Sequence, residues 1–244
     1  MPEPLTDFAY NMLVGLDPNA ILLTNGDNDT YPLVALQACR GFRKDVAVLN
    51  LSLLNLGWYR RDWRNDRLAV PVPLLDQDPR NKTQSLPAVK GLIDNLRKSG
   101  WKRPLYVATT VELSYYKIPN KLSLEGIVYR VLPRNGEGWE VDTMRLARNL
   151  GSVYRLQSAT SPALDWKTWS GLQMLVRNYV AADLNLCAAR AKAKDMAGVR
   201  ECMVRSLTLC EFQGSDFTRE LISQWSQMDP RSPELARWKK KLAL

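Results

Sequence analysis

Ile21 to Pro32 reads ILLTNGDNDTYP. An apolar run stops at Asn25-Gly26, two aspartates flank an asparagine, and Thr30-Tyr31-Pro32 starts a helical pattern. The stretch is a strand that turns into a helix, and it supports two readings of Asp27-Asn28-Asp29. In one, Asn25-Gly26 makes the turn and Asp29 or Thr30 caps the helix that begins near Tyr31. In the other, Asn25, Asp27, Asn28, Asp29 and Thr30 rim a ligand site, because strand ends that feed helices bind ligands in open α/β sheets.

The same alternation continues outward. LTDFAYNMLVGLDPNA predicts a helix with Thr6 or Asp7 as N-cap, ended by Gly15 and Pro18. TYPLVALQACRGFR predicts a helix with Pro32 in its first turn and Gly41 near its end. DVAVLNLS and RPLYVATTV are further strands, and KLSLEGIVYRVLPRN supplies another around Ile127 to Leu132. SLPAVKGLIDNLRKSGW is a helix capped by Ser85 and ended by Gly100. VPVPLLDQDPRNKT is punctuated by proline and reads as loop or sheet edge. The order implies an α/β sandwich with a mainly parallel sheet.

From about Trp166 the period changes. Leu172, Leu175, Val176, Tyr179, Val180, Leu184 and Cys187 recur at helical spacing, as do Val199, Met203, Leu207 and Cys210. These predict two helices joined at Lys194-Asp195, followed by two more split at Asp229-Pro230. The expected organisation is an α/β domain over 1–150 and a helical-hairpin domain over 151–244. The hairpin resembles a tetratricopeptide unit in length, but the small and aromatic landmarks of that repeat are mostly absent.

Composition narrows the chemistry. The 244 residues are 45% hydrophobic and 24% charged, enough for a packed core. The chain has no histidine, which removes Ser-His-Asp and Cys-His mechanisms and histidine metal ligation. Cys39, Cys187, Cys202 and Cys210 include no C-x-x-C pair, so a zinc site is not expected. Cys202 and Cys210 on one helix would stand roughly 12 Å apart, too far for a disulfide. Cys187 and Cys202 could face each other across the hairpin, and buried free thiols are the expected state. The net charge of +9 favours acidic partners. No apolar run reaches membrane-spanning length, and MPEPLTDFAYNML lacks the basic start of a signal peptide.

WYRRDWRNDR places Arg60, Arg61, Arg64 and Arg67 among Trp58, Tyr59 and Trp63. Helical spacing puts Arg60, Arg64 and Arg67 on one face. Such a surface could hold a phosphate, a sugar or single-stranded nucleic acid. Asp62 and Asp66 favour local ion pairs instead, and nucleic acid is the least favoured partner.

Asp27-Asn28-Asp29 also resembles the DxD element of nucleotide-sugar glycosyltransferases, where an aspartate pair holds a divalent metal against a diphosphate. Those enzymes carry a nucleotide-binding α/β half before the DxD, whereas one helix and one strand precede it here. An EF-hand is excluded, since Tyr31 stands where an oxygen ligand belongs.

Four segments in order, FAYNMLVGLDPNAILLTNGDNDTYPLVALQ, RKDVAVLNLSLLNLGWYRRD, WKRPLYVATTV and LSLEGIVYRVLP, resemble the soluble C-terminal region of bacterial GT-C-type membrane glycosyltransferases related to protein O-mannosyltransferases. The resemblance covers roughly 5–135, with Asn25, Gly26, Asp27, Asn28, Asp29, Thr30 and Pro32 matching the family signature. Val34 stands where a tryptophan is expected. In that family the chemistry belongs to a multi-spanning membrane portion. The resemblance therefore implies a non-catalytic accessory or assembly module, extracytoplasmic and peripheral to a membrane complex, with protein partners and no cofactor. The absence of a visible signal peptide leaves a cytoplasmic location open. The alternative is a glycan- or phosphosugar-binding domain, or a glycosyltransferase, using Asp27 and Asp29 as metal or hydroxyl ligands.

Overall fold

The computed structural model describes residues 3–75, 85–161, 170–211 and 215–242. They form two compact units: Ala9–Glu140, and the described residues of 1–8 together with those of 141–244. The α/β class followed by a helical region is as the periodicity implies.

The first unit holds a six-stranded mixed sheet in the order β2-β1-β3-β5-β4-β6. β1 (Ile21–Thr24) pairs in parallel with β2 (Ala47–Asn50) on one side and β3 (Leu105–Ala108) on the other. β4 (Asn120–Leu124) and β5 (Val128–Asn135) form an antiparallel hairpin, and β5 pairs antiparallel with β3. β6 (Trp139–Val141) completes the sheet beside β4. β1, β2 and β3 are buried at every residue, which is why they read as unbroken apolar runs.

Helices cover this core. α1 (Glu3–Val14) begins before Thr6 and Asp7, so neither is its cap. Asp7 instead accepts a hydrogen bond from the Ser158 hydroxyl at 2.6 Å within the second unit. α2 (Asp27–Arg40) begins at Asp27, four residues earlier than a cap at Thr30 allows, and ends at Gly41 in the left-handed region. A short 3-10 turn (Leu53–Asn55) leads to α3 (Gly57–Asn65). α4 (Ser85–Lys98) buries Ala88, Val89, Leu92, Ile93 and Leu96, each large aliphatic contributing about 1.5–3 kcal/mol. α5 (Leu113–Tyr116) is a single turn before β4. The 76–83 part of the proline-rich stretch lies outside the described residues.

The second unit contains α6 (Thr143–Arg148), continued by a π turn (Asn149–Val153). α7 (Ser170–Lys192) and α8 (Met196–Cys210) form the expected hairpin. Lys194 takes φ 61° in the connection, and the Asp195 carboxylate accepts the Gly198 amide hydrogen at the start of α8. α9 (Ser215–Met228) and α10 (Pro233–Lys241) follow, split at Asp229-Pro230. The core includes Phe8, Tyr154, Tyr179, Val180, Leu186, Met203, Leu207 and Trp225. Tyr179 packs edge-on against both Phe8 and Tyr154, with ring centroids 6.0 Å apart in each case.

Candidate functional site

The chain leaves β1, passes to β2 on one side, then crosses to β3 on the other. The carboxyl end of β1 is therefore a point where strand order reverses, and crevices form at such points. The stretch from Asn25 to Thr30 occupies that position.

Gly26 makes the turn, at φ 77° and ψ −162°, a region that side chains with a Cβ avoid. α2 then starts at once, with no side chain capping its first amides. Asp29 and Thr30 consequently sit inside the first turn and are free for tertiary contacts. This corrects the expectation of a cap at either residue.

Thr30 donates its hydroxyl to the Gly26 carbonyl and lies 2.7 Å from the Thr24 hydroxyl. Asn50, the last residue of β2, donates its amide to both the Gly26 carbonyl and the Thr30 hydroxyl at 3.1 Å. Its side-chain oxygen accepts the Ser52 and Leu53 amides, at 2.8 and 3.1 Å. Asn50 thus ties the turn after β1 to the turn after β2. Its own amide hydrogen goes to the Tyr59 hydroxyl at 3.0 Å.

Asp29 is 1% exposed. Its Oδ2 accepts the Thr110 hydroxyl, and the Asn25 amide at 2.9 Å. The Asn25 side chain donates to the Thr110 carbonyl at 3.0 Å, closing the ring to the end of β3. The other carboxylate oxygen, Oδ1, is buried without a hydrogen-bond partner. Burial raises the Asp29 pKa above the ordinary carboxylate value, and the Thr110 and Asn25 bonds oppose that shift. Asn25, Asp27 and Asn28 are exposed at the rim.

A divalent cation bound by an aspartate pair needs both carboxylates turned to one point with further oxygen ligands. Here Asp27 faces solvent, whereas Asp29 is buried and held through Oδ2. Among the described residues no group of three or more His, Cys, Asp or Glu assembles for a metal.

The arginine-aromatic segment forms α3 after β2, at the same end of the sheet. Trp58 is 50% exposed, and Arg61, Arg64 and Arg67 are exposed. Arg60 is not part of that surface. It is 1% exposed and donates to the Leu54 carbonyl at 2.5 Å. Arg64 and Arg67 donate to the Val72 and Lys44 carbonyls, at 3.3 and 3.1 Å. Tyr59 stacks edge-on with Trp58 and Trp63 and lies beside Tyr31, whose ring is exposed. Burial is the main reason the Tyr59 hydroxyl is pushed up from its ordinary pKa. Tyr31 and Val34 on α2, with Leu56 and Trp58 at the start of α3, leave large apolar side chains exposed at this end.

Residues 5–85 match the family model described as TMEM260-associated domain 2. The matched segment runs from α1 to the start of α4 and contains β1, β2, the polar turn and all of α3. No curated protein and no solved structure matches the chain. None of the described helices is long and apolar enough to cross a membrane.

Thr24, Asn50 and Thr110 are not marked by any sequence motif, although Thr24 and Asn50 each end an apolar run with a polar residue. A concavity of about 600 Å³ opens between α5, β4 and β6 and is lined by Leu113, Lys117, Asn120, Glu137 and Trp139, among others. It contains none of the residues singled out from sequence.

Proposed function

We propose that this chain is a non-catalytic assembly module that docks, on the extracytoplasmic side, to a membrane O-mannosyltransferase-like protein. The observation that carries the reading is that four large apolar side chains, Tyr31, Val34, Leu56 and Trp58, are exposed within the segment matching the TMEM260-associated domain. Large exposed aromatics are the residue types that anchor protein interfaces. Arg61, Arg64 and Arg67 beside them, with a net charge of +9, suit a partner surface that is apolar at its centre and acidic at its rim. The polar network behind the patch supports a structural role. Asn50, Thr30 and Asp29 spend most of their hydrogen-bonding capacity inside the fold.

The test is capture of the membrane partner from detergent extract by the tagged chain, compared with Tyr31→Ser/Trp58→Ser. Wild type is expected to retain a multi-spanning protein and the double variant to lose it. Equal retention by both, or no membrane protein retained at all, would sink the proposal.

A second reading rests on the partnerless Oδ1 of Asp29 beside the exposed Asp27: a glycan or phosphosugar site using these carboxylates. Calorimetric titration with Mn²⁺, Ca²⁺ and nucleotide sugars addresses it. Binding that is unchanged in Asp27→Asn/Asp29→Asn would eliminate it.

A further inference from the structure

The α7–α8 hairpin holds a paired thiol site that the proposed docking role does not use. Contacts descend α7 as they ascend α8. Arg190 donates to the Gly198 carbonyl at 3.0 Å, the Cys187 thiol lies 3.7 Å from the Val199 carbonyl, and Arg205 and Ser206 reach Asp183. Near the connection the Arg190 side chain of α7 lies against the backbone of α8. A Cβ on Gly198 would stand 2.5 Å from Arg190 Cδ and 2.2 Å from Asp195 Oδ2, so the Arg190 side chain lies close against the α8 backbone there. Cys187 lies three residues before Arg190, and Cys202 four residues after Gly198. Each is one helical turn away from that close approach.

Both side chains are fully buried free thiols, and the neighbouring Cys187 thiol, together with burial, pushes the Cys202 thiol up from its ordinary pKa. The Cys202 sulfur also receives the Arg190 guanidinium at 3.5 Å and the Arg205 guanidinium at 3.8 Å. Cys210, two turns further along α8, is buried apart from this pair, and Cys39 is exposed on α2.

We propose that Cys187 and Cys202 are a disulfide site, closed by thiol-disulfide exchange with a small-molecule or protein disulfide as the chain folds in an oxidising compartment. One cysteine thiolate attacks the donor disulfide and expels one thiolate, leaving a mixed disulfide. The second cysteine thiolate then attacks the mixed disulfide at the protein sulfur and expels the second thiolate. The two protein thiols are oxidised, the donor is reduced to two thiols, and the two protons pass to them. Folding favours this pairing because the hairpin raises the effective concentration of one thiol at the other. Exchange during folding also avoids the barrier that burial sets against attack on the finished fold.

The experiment refolds the reduced, denatured chain in a buffer of reduced and oxidised glutathione. Acid quenching, alkylation of remaining thiols and tryptic peptide mapping follow. Cleavage after Arg190, Arg200 and Arg205 places Cys187, Cys202 and Cys210 on separate peptides. The expected product is a Cys187–Cys202 linked pair, with Cys210 alkylated and the linkage exceeding any other pairing by at least about tenfold. Cys202→Ala should fold with the same helical circular dichroism and yield no such pair. Recovery of Cys187 and Cys202 both alkylated from folded protein overturns the proposal. Linkages spread evenly over Cys39 and Cys210 do the same.

Discussion

Asp29→Asn separates a structural carboxylate from one held ready for a cation. In the folded chain, Oδ2 accepts two hydrogen bonds and Oδ1 accepts none, while the whole side chain is 1% exposed. The amide can place its oxygen where Oδ2 stands and keep both donors satisfied. Replacing a charged acceptor by a neutral one weakens those two bonds by about 1 kcal/mol each. Removing the charge relieves a buried, partnerless carboxylate oxygen, a penalty of about 1–3 kcal/mol. The two effects nearly cancel, so the variant should fall within about 1 kcal/mol of wild type at neutral pH. Asp29→Ala loses both bonds without that geometry and should be destabilised by about 2–3 kcal/mol.

The pH dependence follows from the raised pKa. Folding favours the protonated acid, so its stabilising contribution is full below the unfolded value of 3.8 and is lost as pH rises through the higher folded value. The stability of Asp29→Asn relative to wild type should therefore improve on going from near pH 4 to near pH 7. Urea unfolding at several pH values, with constant m, measures this directly. If Asp29→Asn is more than about 2 kcal/mol less stable at neutral pH, and the gap narrows in acid, the carboxylate charge is compensated and the reasoning fails.

Arg205→Ala should destabilise the helical unit by about 3–5 kcal/mol in urea unfolding, because it strands the fully buried Asp183, now held bidentately at 2.6 and 3.0 Å. Replacing both partners by apolar residues should lose much less than the single change. Gly26→Ala should lose about 1–3 kcal/mol through backbone strain alone, since no atom lies within 4 Å of the added Cβ. Wild-type stability in that variant would show that the turn relaxes. Tyr31→Ser/Trp58→Ser should leave the unfolding free energy within about 0.5 kcal/mol of wild type, so that lost capture of a membrane partner reports the surface and not the fold.

The strands β1, β2 and β3 were legible because each is buried on both faces, and continuous burial writes itself as a continuous apolar run. The hairpin connection at Lys194-Asp195 was legible because a cap acts over three residues. β6, beginning at Trp139, was missed because three exposed or half-exposed residues carry no such pattern. Helical spacing grouped Arg60, Arg64 and Arg67 on one face, but α3 ends at Asn65, before Arg67, and spacing does not say what covers a face. The Leu54 carbonyl takes Arg60 inside, while Arg64 stays exposed. The expected pairing of Asp62 and Asp66 with these arginines does not form among the described residues. Asp66 instead accepts the Leu68 amide at 2.8 Å.

The polar turn shows where the two sources of information divide. The sequence by itself determined that a strand ends at Thr24, that the chain turns at Asn25-Gly26 and that a helix follows, because propensity, turn chemistry and apolar runs act between near neighbours. Only the tertiary structure decided that Asp27 faces solvent while Asp29 is buried. That choice depends on Thr110, 81 residues away at the end of β3, and on Asn50 at the end of β2. Strand order brings those side chains to one point, and a hydrogen bond responds to distance in space and not to separation along the chain.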